Sequence, residues 1–427
     1  MIIEFTFGNF RSFQTMQTFS MVAANISSKN KDLDTNNTFE TIKQQKLLRS
    51  KAIYGANASG KSNIIKAIFA FIQMVKKSVK DENIIKAHAK PFRLNAKSEQ
   101  EPIFFQLIFI HKAVKYRYGF EIQDNRVFSE WLFAAPKGRE VAYFTREGES
   151  VSVENAFKAA KHFEANYKTP NEIFTSTALF LSSLSAMGNE IAKEATEAIG
   201  EINIISSSND PMLRVNLLTE IDEQQTKANI LEFVNAADID LKDIKVQPTD
   251  ISKFPAEMQA FIQEHDLNLN EIATMREQYD DDKKVVKTIE CDYDDWESEG
   301  TKKIATLSPI LIDVLANGHV LAIDEFDSRL HPNLTHKIVS LFNSPQTNPH
   351  NAQLIFVTHD TTLLKPDKLR RDQICFVEKD RYGSSTILDL VEFKGARNDA
   401  SYDKRYLQGA YGAIPFLNNI DALFTQN

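Results

Sequence analysis

At 427 residues, 42% of them apolar and 25% charged, the chain is long enough for two or three lobes of about 150 residues and reads as globular and soluble. Its net charge of −8 argues against nucleic-acid binding by bulk electrostatics, leaving only a local basic groove. Cys291 and Cys375 are the only cysteines, which excludes a disulfide framework and a C-x-x-C metal site and predicts ordinary reduced thiols.

Met1 to Phe7 alternates as a strand and lacks the basic start, long apolar core and small-residue cleavage site of a signal peptide. No apolar run approaches the ~18 residues of a membrane span, so a cytoplasmic protein with no membrane partner is expected. Gly8-Asn9-Phe10-Arg11-Ser12-Phe13 then breaks the apolar pattern as a turn. Arg11 is a candidate contact to base or phosphate there, with a plain surface arginine as the alternative. Asn25 to Thr41 is polar and without periodicity and reads as a loop.

Gly55-Ala56-Asn57-Ala58-Ser59-Gly60-Lys61-Ser62 fits the G-x-x-x-x-G-K-[ST] phosphate loop. Its glycines let the backbone curl so that the N–H groups of the Asn57 to Asn63 stretch point at phosphates. Lys61 is expected on the β and γ phosphates and Ser62 on Mg²⁺, with ATP as the nucleotide. The context fits as well. A short β-type run, Lys51 to Tyr54, leads in, and Ile64, Ile65, Ile68, Phe69, Ile72 and Val75 fall at helical spacing behind it. After this helix, Lys76, Lys77, Lys80, Lys86 and Lys90 form a basic stretch, read first as a solvated face and second as a DNA contact.

The domain reading follows the texture of the chain. Residues 1–90 form the N-terminal half of a nucleotide-binding head, and 91–150 an antiparallel β lobe with strands at Ile103 to Ile110, Val114 to Ile122, Val127 to Ala134 and Val141 to Arg146. Residues 151–290 read as a helical insertion, with helical spacing at Ala156 to Tyr167, Ile173 to Met187, Glu190 to Ile199, Asp222 to Ala237 and Pro255 to Gln263. Residues 291–427 supply the other half of the head. No heptad pattern is sustained, so a long coiled-coil arm is not expected.

Within that last segment Val320-Leu321-Ala322-Ile323 is a continuous apolar strand ending in Asp324-Glu325. Ligands of open α/β sheets sit at the carboxyl ends of strands, so Asp324 is placed to hold Mg²⁺ and Glu325 to polarise the attacking water. Gln353 to Val357 repeats the design and delivers His359 as a γ-phosphate sensor. Ser298-Glu299-Gly300-Thr301 opens an apolar-periodic helix whose N-terminus offers amides and a positive dipole end to an anion. Such an anion would come more naturally from a second molecule than from the chain's own loop.

This set of motifs resembles the ABC-type ATPase head of the SMC-like kind, and more narrowly the short prokaryotic AAA-type, SMC-like ATPases of phage-defence and abortive-infection loci. The resemblance is carried by Gly8 to Phe13, the phosphate loop, Tyr116 to Phe120, Glu297 to Lys302, Ile323 to Pro332, Val357 to Asp360 and Tyr406 to Pro415. It implies an α/β fold: an ABC-type P-loop ATPase head with an antiparallel β lobe and an inserted helical lobe. It further implies a homodimer or higher homo-oligomer in which two heads sandwich ATP. Ser298, Gly300 and Thr301 of one head would meet the γ-phosphate held by Lys61 of the other, with Asp327 and Ser328 at the seam. Many such proteins control a separate effector, often a nuclease or toxin.

The signature reads Ser-Glu-Gly-Thr where transporters have Ser-Gly-Gly, and neither Gln106 nor Gln123 is assigned as the Q-loop glutamine. Alternative readings are a DNA-binding repair or segregation ATPase, a self-contained ATP-regulated nuclease, and a scaffold that binds ATP without hydrolysing it. The nuclease reading needs two acidic strand ends to hold its metals, and Asp280-Asp281-Asp282 follows no buried strand. The aromatic tail Tyr402 to Phe416 either packs on the head or docks a partner.

Overall fold

A computed structural model describes all residues except 42–43, 168–174, 207–209, 222, 238, 254, 260–268, 395–400 and 415–427. The chain divides into two units, residues 1–205, 317–326 and 338–427 in the first and residues 206–316 and 327–337 in the second.

In the first unit, strands β1 (Ile2–Gly8) and β2 (Gln17–Ser20) precede a small hairpin of β3 (Thr38–Glu40) and β4 (Lys46–Leu48). Strand β5 (Ser50–Gly55) then runs into the phosphate loop and helix α1 (Lys61–Lys77). A meander follows: β6 (Ile103–His111), β7 (Val114–Gln123), β8 (Arg126–Ala135), β9 (Val141–Glu147) and β10 (Ser150–Val153). Helices α2 (Phe180–Ala186) and α3 (Glu190–Gly200) lead to β11 (Ile202–Ile205). The second unit holds α4 (Asp210–Glu220), α5 (Gln224–Ala236), β12 (Asp243–Pro248), β13 (Asn270–Tyr279), β14 (Val285–Asp292) and nearly all of α6 (Glu299–Asn317). The chain continues through β15 (Val320–Ile323), α7 (Pro332–Phe342), β16 (Gln353–Val357), β17 (Ile374–Lys379), β18 (Ser385–Asp389) and α8 (Tyr402–Leu407).

Two large sheets stand beside the β3–β4 hairpin in the first unit. One is antiparallel, in the order β10-β9-β8-β7-β6-β1-β2. The other runs β11-β15-β16-β5-β17-β18 and is parallel except for β18. Its inner strands β15 and β16 are buried along their whole length, which is why their sequences are continuous apolar runs rather than alternations. Helix α1 shares one core with both sheets. Its Phe71 ring stacks on Phe120 of β7 at 5.2 Å, while Ile53, Ile355, Val357 and Val377 bring the parallel sheet into the same cluster. Each such apolar side chain contributes about 1.5–3 kcal/mol on burial, so the helix behind the phosphate loop is held by packing more than by propensity.

A buried amide ties the sheets at their edge. Ile2 N–H donates to Gln353 Oε1 at 2.6 Å, and Gln353 Nε2 donates to the carbonyls of Ile2 at 3.0 Å and Leu48 at 3.3 Å. The side chain thus plays the part of a strand residue for β1. Gln353→Ala strands three buried backbone groups and is expected to cost about 2–3 kcal/mol in urea unfolding. A loss under about 1 kcal/mol would mean that the β1 pairing does not depend on this amide.

The stretch read as a helical insertion carries strands as well. Ile202–Ile205 pairs in parallel with β15, and β12, β13 and β14 form a three-stranded antiparallel sheet of the second unit. Long-range pairing decided these segments, overriding the weak local preferences of sequences such as Asn270–Tyr279. The helix read from Pro255 to Gln263 and the stretch from Ile173 lie partly outside the described residues.

The aromatic tail packs on the first unit. Tyr402, Tyr406 and Tyr411 are buried, and Phe376 of β17 stacks against Tyr406 at 5.4 Å and Tyr411 at 5.3 Å. Pro415 and Phe416 lie outside the described residues. Both cysteines are buried, and burial pushes the Cys375 thiol far up from its ordinary value, so it is no nucleophile.

Candidate nucleotide site

Strands β5, β15 and β16 are neighbours and parallel, so their carboxyl ends lie along one edge of the sheet. At that edge β5 enters the phosphate loop. Gly55 is needed by close approach, because a Cβ there would lie 2.5 Å from the Val377 carbonyl oxygen. Gly60 is needed twice over: its φ is +111°, and a Cβ would meet the hydroxyls of Ser12 and Ser385 at 2.6 Å each. Asn57 and Ala58 are exposed at the crest, Ala58 with a φ of +61°.

Lys61 is buried and donates to the carbonyls of Gly55 and Ala56, both at 2.7 Å, so its ammonium bends back over the loop. Ser62 Oγ donates to Asp324 Oδ1 at 3.0 Å. A serine hydroxyl beside a buried carboxylate at the start of a phosphate-loop helix is a hard oxygen pair of the kind that suits Mg²⁺. Ser59 is 4% exposed, and among the described residues its hydroxyl has no hydrogen-bond partner. An orphaned buried hydroxyl inside a glycine-lined curl fits a phosphate group.

Asp324 and Glu325 face different surroundings. Asp324 N–H donates to the Ile205 carbonyl at 2.8 Å, on the β11 side, whereas Phe326 N–H donates to Val357 at 2.9 Å, on the β16 side. These opposed bonds force the residue between them to turn. Glu325 has a φ of +51° and an exposed side chain, while Asp324 stays buried. A non-glycine residue in the left-handed region costs energy that its surroundings must supply, and such residues cluster at functional sites. His359 is exposed two residues past the end of β16, where Tyr54 O–H donates to the carbonyl of the adjacent Asp360 at 2.9 Å.

The N-terminal turn meets this loop from the side. Asn63 Nδ2 donates to Ser12 Oγ at 2.9 Å, and Ser385 Oγ lies 2.9 Å from the same hydroxyl. Arg11, adjacent to Ser12, has a φ of +52° and an exposed side chain beside the Phe10 ring. Asn9 is a bracket rather than a ligand: its amide spans Ser98, Glu101 and Phe92. Sequence reading missed Ser385, whose hydroxyl sits on an edge strand with no motif around it.

In the second unit, Ser298 caps α6. Its Oγ accepts from Thr301 N–H at 3.1 Å and lies 2.9 Å from Thr301 Oγ1. A Cβ on Gly300 would come 3.0 Å from the Arg329 carbonyl, and Arg329 pairs with Glu299 at 2.8 Å. The Asp327 to Leu330 segment therefore lies against the signature, with Asp327 itself half-buried. Gln106 is engaged by Trp131 Nε1 at 3.1 Å, and Gln123 donates to the Gln100 carbonyl at 2.9 Å, both on the antiparallel sheet.

The parallel sheet with its phosphate loop and the acidic strand end beside it define an α/β P-loop nucleotide-binding fold. The family model described as "AAA domain, putative AbiEii toxin, Type IV TA system" matches residues 52–365, and the chain belongs to this family of AAA ATPases. No curated protein matches the chain by sequence. Among solved structures, the SMC head domain from Thermotoga maritima is similar at 13% identity, covering 91% of this chain and 98% of that one, with a TM-score of 0.40. No helix among the described residues is long and apolar enough to cross a membrane.

Proposed function

We propose that the chain binds and hydrolyses ATP at sites shared between two copies, and that the cycle switches a separate effector protein in abortive-infection defence. The observation that carries the reading is the meeting of Lys61, Ser62 and Asp324 at one sheet edge, with Ser62 Oγ 3.0 Å from Asp324. Lys61 leaves its two carbonyls for the β and γ phosphates, and the loop amides from Asn57 to Asn63 hold the remaining oxygens. Mg²⁺ held by Ser62 and Asp324 supplies positive charge against the phosphates. Glu325, turned outward, orients the attacking water, and His359 contacts the γ-phosphate. Arg11 reaches the nucleotide from the N-terminal turn.

Ser298, Gly300, Thr301 and Asp327 serve the second copy. The capped N-terminus of α6 presents amides to a phosphate, and an ATP held by the partner's loop completes the site. The toxin–antitoxin description of the family favours a protein partner, a nuclease or toxin, held or released with nucleotide state. Exposed Lys76, Lys77, Lys80, Lys86 and Lys90 favour DNA as a second reading, tested by a steep salt dependence of binding that charge reversal abolishes.

Mass photometry of wild type and Glu325→Gln, with and without Mg-ATP, tests the shared site. The variant is expected to shift to at least twice its mass with ATP, and Ser298→Arg added to it is expected to abolish the shift. A mass indifferent to nucleotide in every variant would remove the composite site.

A further inference from the structure

We propose that Ser12 and Ser385 are positioning residues that aim the Gly60 amide at the phosphates through a hydrogen-bond relay anchored on the Ser59 carbonyl. The inference rests on the ATP-binding reading above. Ser385 Oγ lies 2.6 Å from the Ser59 carbonyl oxygen, which only accepts, so Ser385 is the donor in that bond. The same hydroxyl is also on the donor side of the 2.9 Å contact to Ser12 Oγ, so its one proton is shared between the Ser59 carbonyl and Ser12. Ser12 in turn accepts from Asn63 Nδ2 at 2.9 Å. Ser12 thus accepts from both Asn63 and Ser385, and Ser385 also donates to the Ser59 carbonyl.

The end of the relay is what gives it a function. The Ser59–Gly60 peptide is planar and trans, so a carbonyl drawn toward Ser385 turns the Gly60 N–H to the opposite side, into the concavity of the loop. Gly60 is also the position where a Cβ would strike both serine hydroxyls at 2.6 Å, so the relay and the glycine fill one space. A backbone bond from Ser385 N–H to the Ser12 carbonyl, at 2.7 Å, holds the two serines together independently of their hydroxyls. Removing a hydroxyl therefore leaves this scaffold and frees the peptide plane. Ser385 is fully buried, so no water replaces its proton at the Ser59 carbonyl.

Calorimetric titration with Mg-ADP, alongside amide hydrogen exchange of the nucleotide-free protein, tests the relay. Ser385→Ala is expected to weaken Mg-ADP about tenfold and Ser12→Ala about threefold, because the latter leaves the last link in place. The double variant is expected to bind no more weakly than Ser385→Ala alone, since breaking the last link makes the earlier one irrelevant. Exchange across residues 55–63 should rise in both single variants without nucleotide, while β16 is unchanged. Lys61→Ala separates the two readings. Should it bind Mg-ADP like wild type, the nucleotide reading falls and the relay with it. Should Lys61→Ala lose binding while both serine variants bind and exchange like wild type, the relay alone falls. Additive losses in the double variant would also overturn it, making the hydroxyls independent contacts. If Ser385→Ala does not fold, Ser12→Ala, at a half-buried turn, decides the matter by the same affinity and exchange readouts.

Discussion

Glu325→Gln is expected to hold Mg-ATP with wild-type affinity and to hydrolyse it about 10²–10⁴ times more slowly, the usual contribution of a placed general base. The amide keeps the shape of the carboxylate but cannot take a proton from water. The backbone around it is fixed by the bonds of Asp324 to Ile205 and of Phe326 to Val357, so the substitution changes chemistry and not position. Phosphate release under single turnover gives the rate, and calorimetric titration gives the affinity. Lys61→Ala is the contrasting variant, expected to lose affinity first. Hydrolysis unchanged in Glu325→Gln would take the residue out of the reaction and leave its left-handed backbone as a feature of the strand end alone.

Arg146→Met is expected to cost about 3–5 kcal/mol, because it leaves the Glu130 carboxylate buried without its cation. Both side chains are 0% exposed, with a closest approach of 3.5 Å. Glu130 accepts from Tyr118 O–H at 3.0 Å and from the N–H groups of Phe180 at 2.6 Å and Leu181 at 2.9 Å, while Arg146 donates to the Ala178 carbonyl at 2.7 Å. The pair pins β8 and β9 to the start of α2. Burial already raises the Glu130 carboxyl above its ordinary 4.5 against the opposing pull of Arg146, and removing the guanidinium raises it further.

The sign of the pH effect follows. A folded-state pKa above the unfolded value gives a contribution that is present below the unfolded value and lost as pH rises through the folded one. Arg146→Met is therefore expected to be closest to wild type near pH 5 and worst near pH 8, read as urea midpoints. Adding Glu130→Gln should recover part of the loss, since it removes the stranded charge. A loss under about 1 kcal/mol, flat with pH, would mean that Glu130 is protonated in the native protein and the contact is a neutral hydrogen bond.

The sequence by itself determined what depends on neighbours along the chain. Gly55 to Ser62 curls because of where its glycines fall, and Val320 to Glu325 reads as a buried strand with an acidic end because apolar runs and their termini are local properties. The meander from Ile103 to Arg146 was legible for the same reason, its alternation in β6 matching one buried and one half-buried face. Even Ser298 as the cap of α6 lies within three residues of the amide it caps.

Tertiary structure alone decided what depends on residues far apart. Ile202–Ile205 becomes a strand because β15 offers it an open edge, and the chemistry of Ile-Asn-Ile-Ile does not announce that partner. Gln353 reads as an ordinary polar residue until Ile2, 351 positions away, brings it two unsatisfied backbone groups. Ser12 and Ser385 are 373 positions apart, and no motif surrounds Ser385, yet their hydroxyls meet over Gly60. A hydrogen bond is specified by distance and angle, and only the closed chain supplies those.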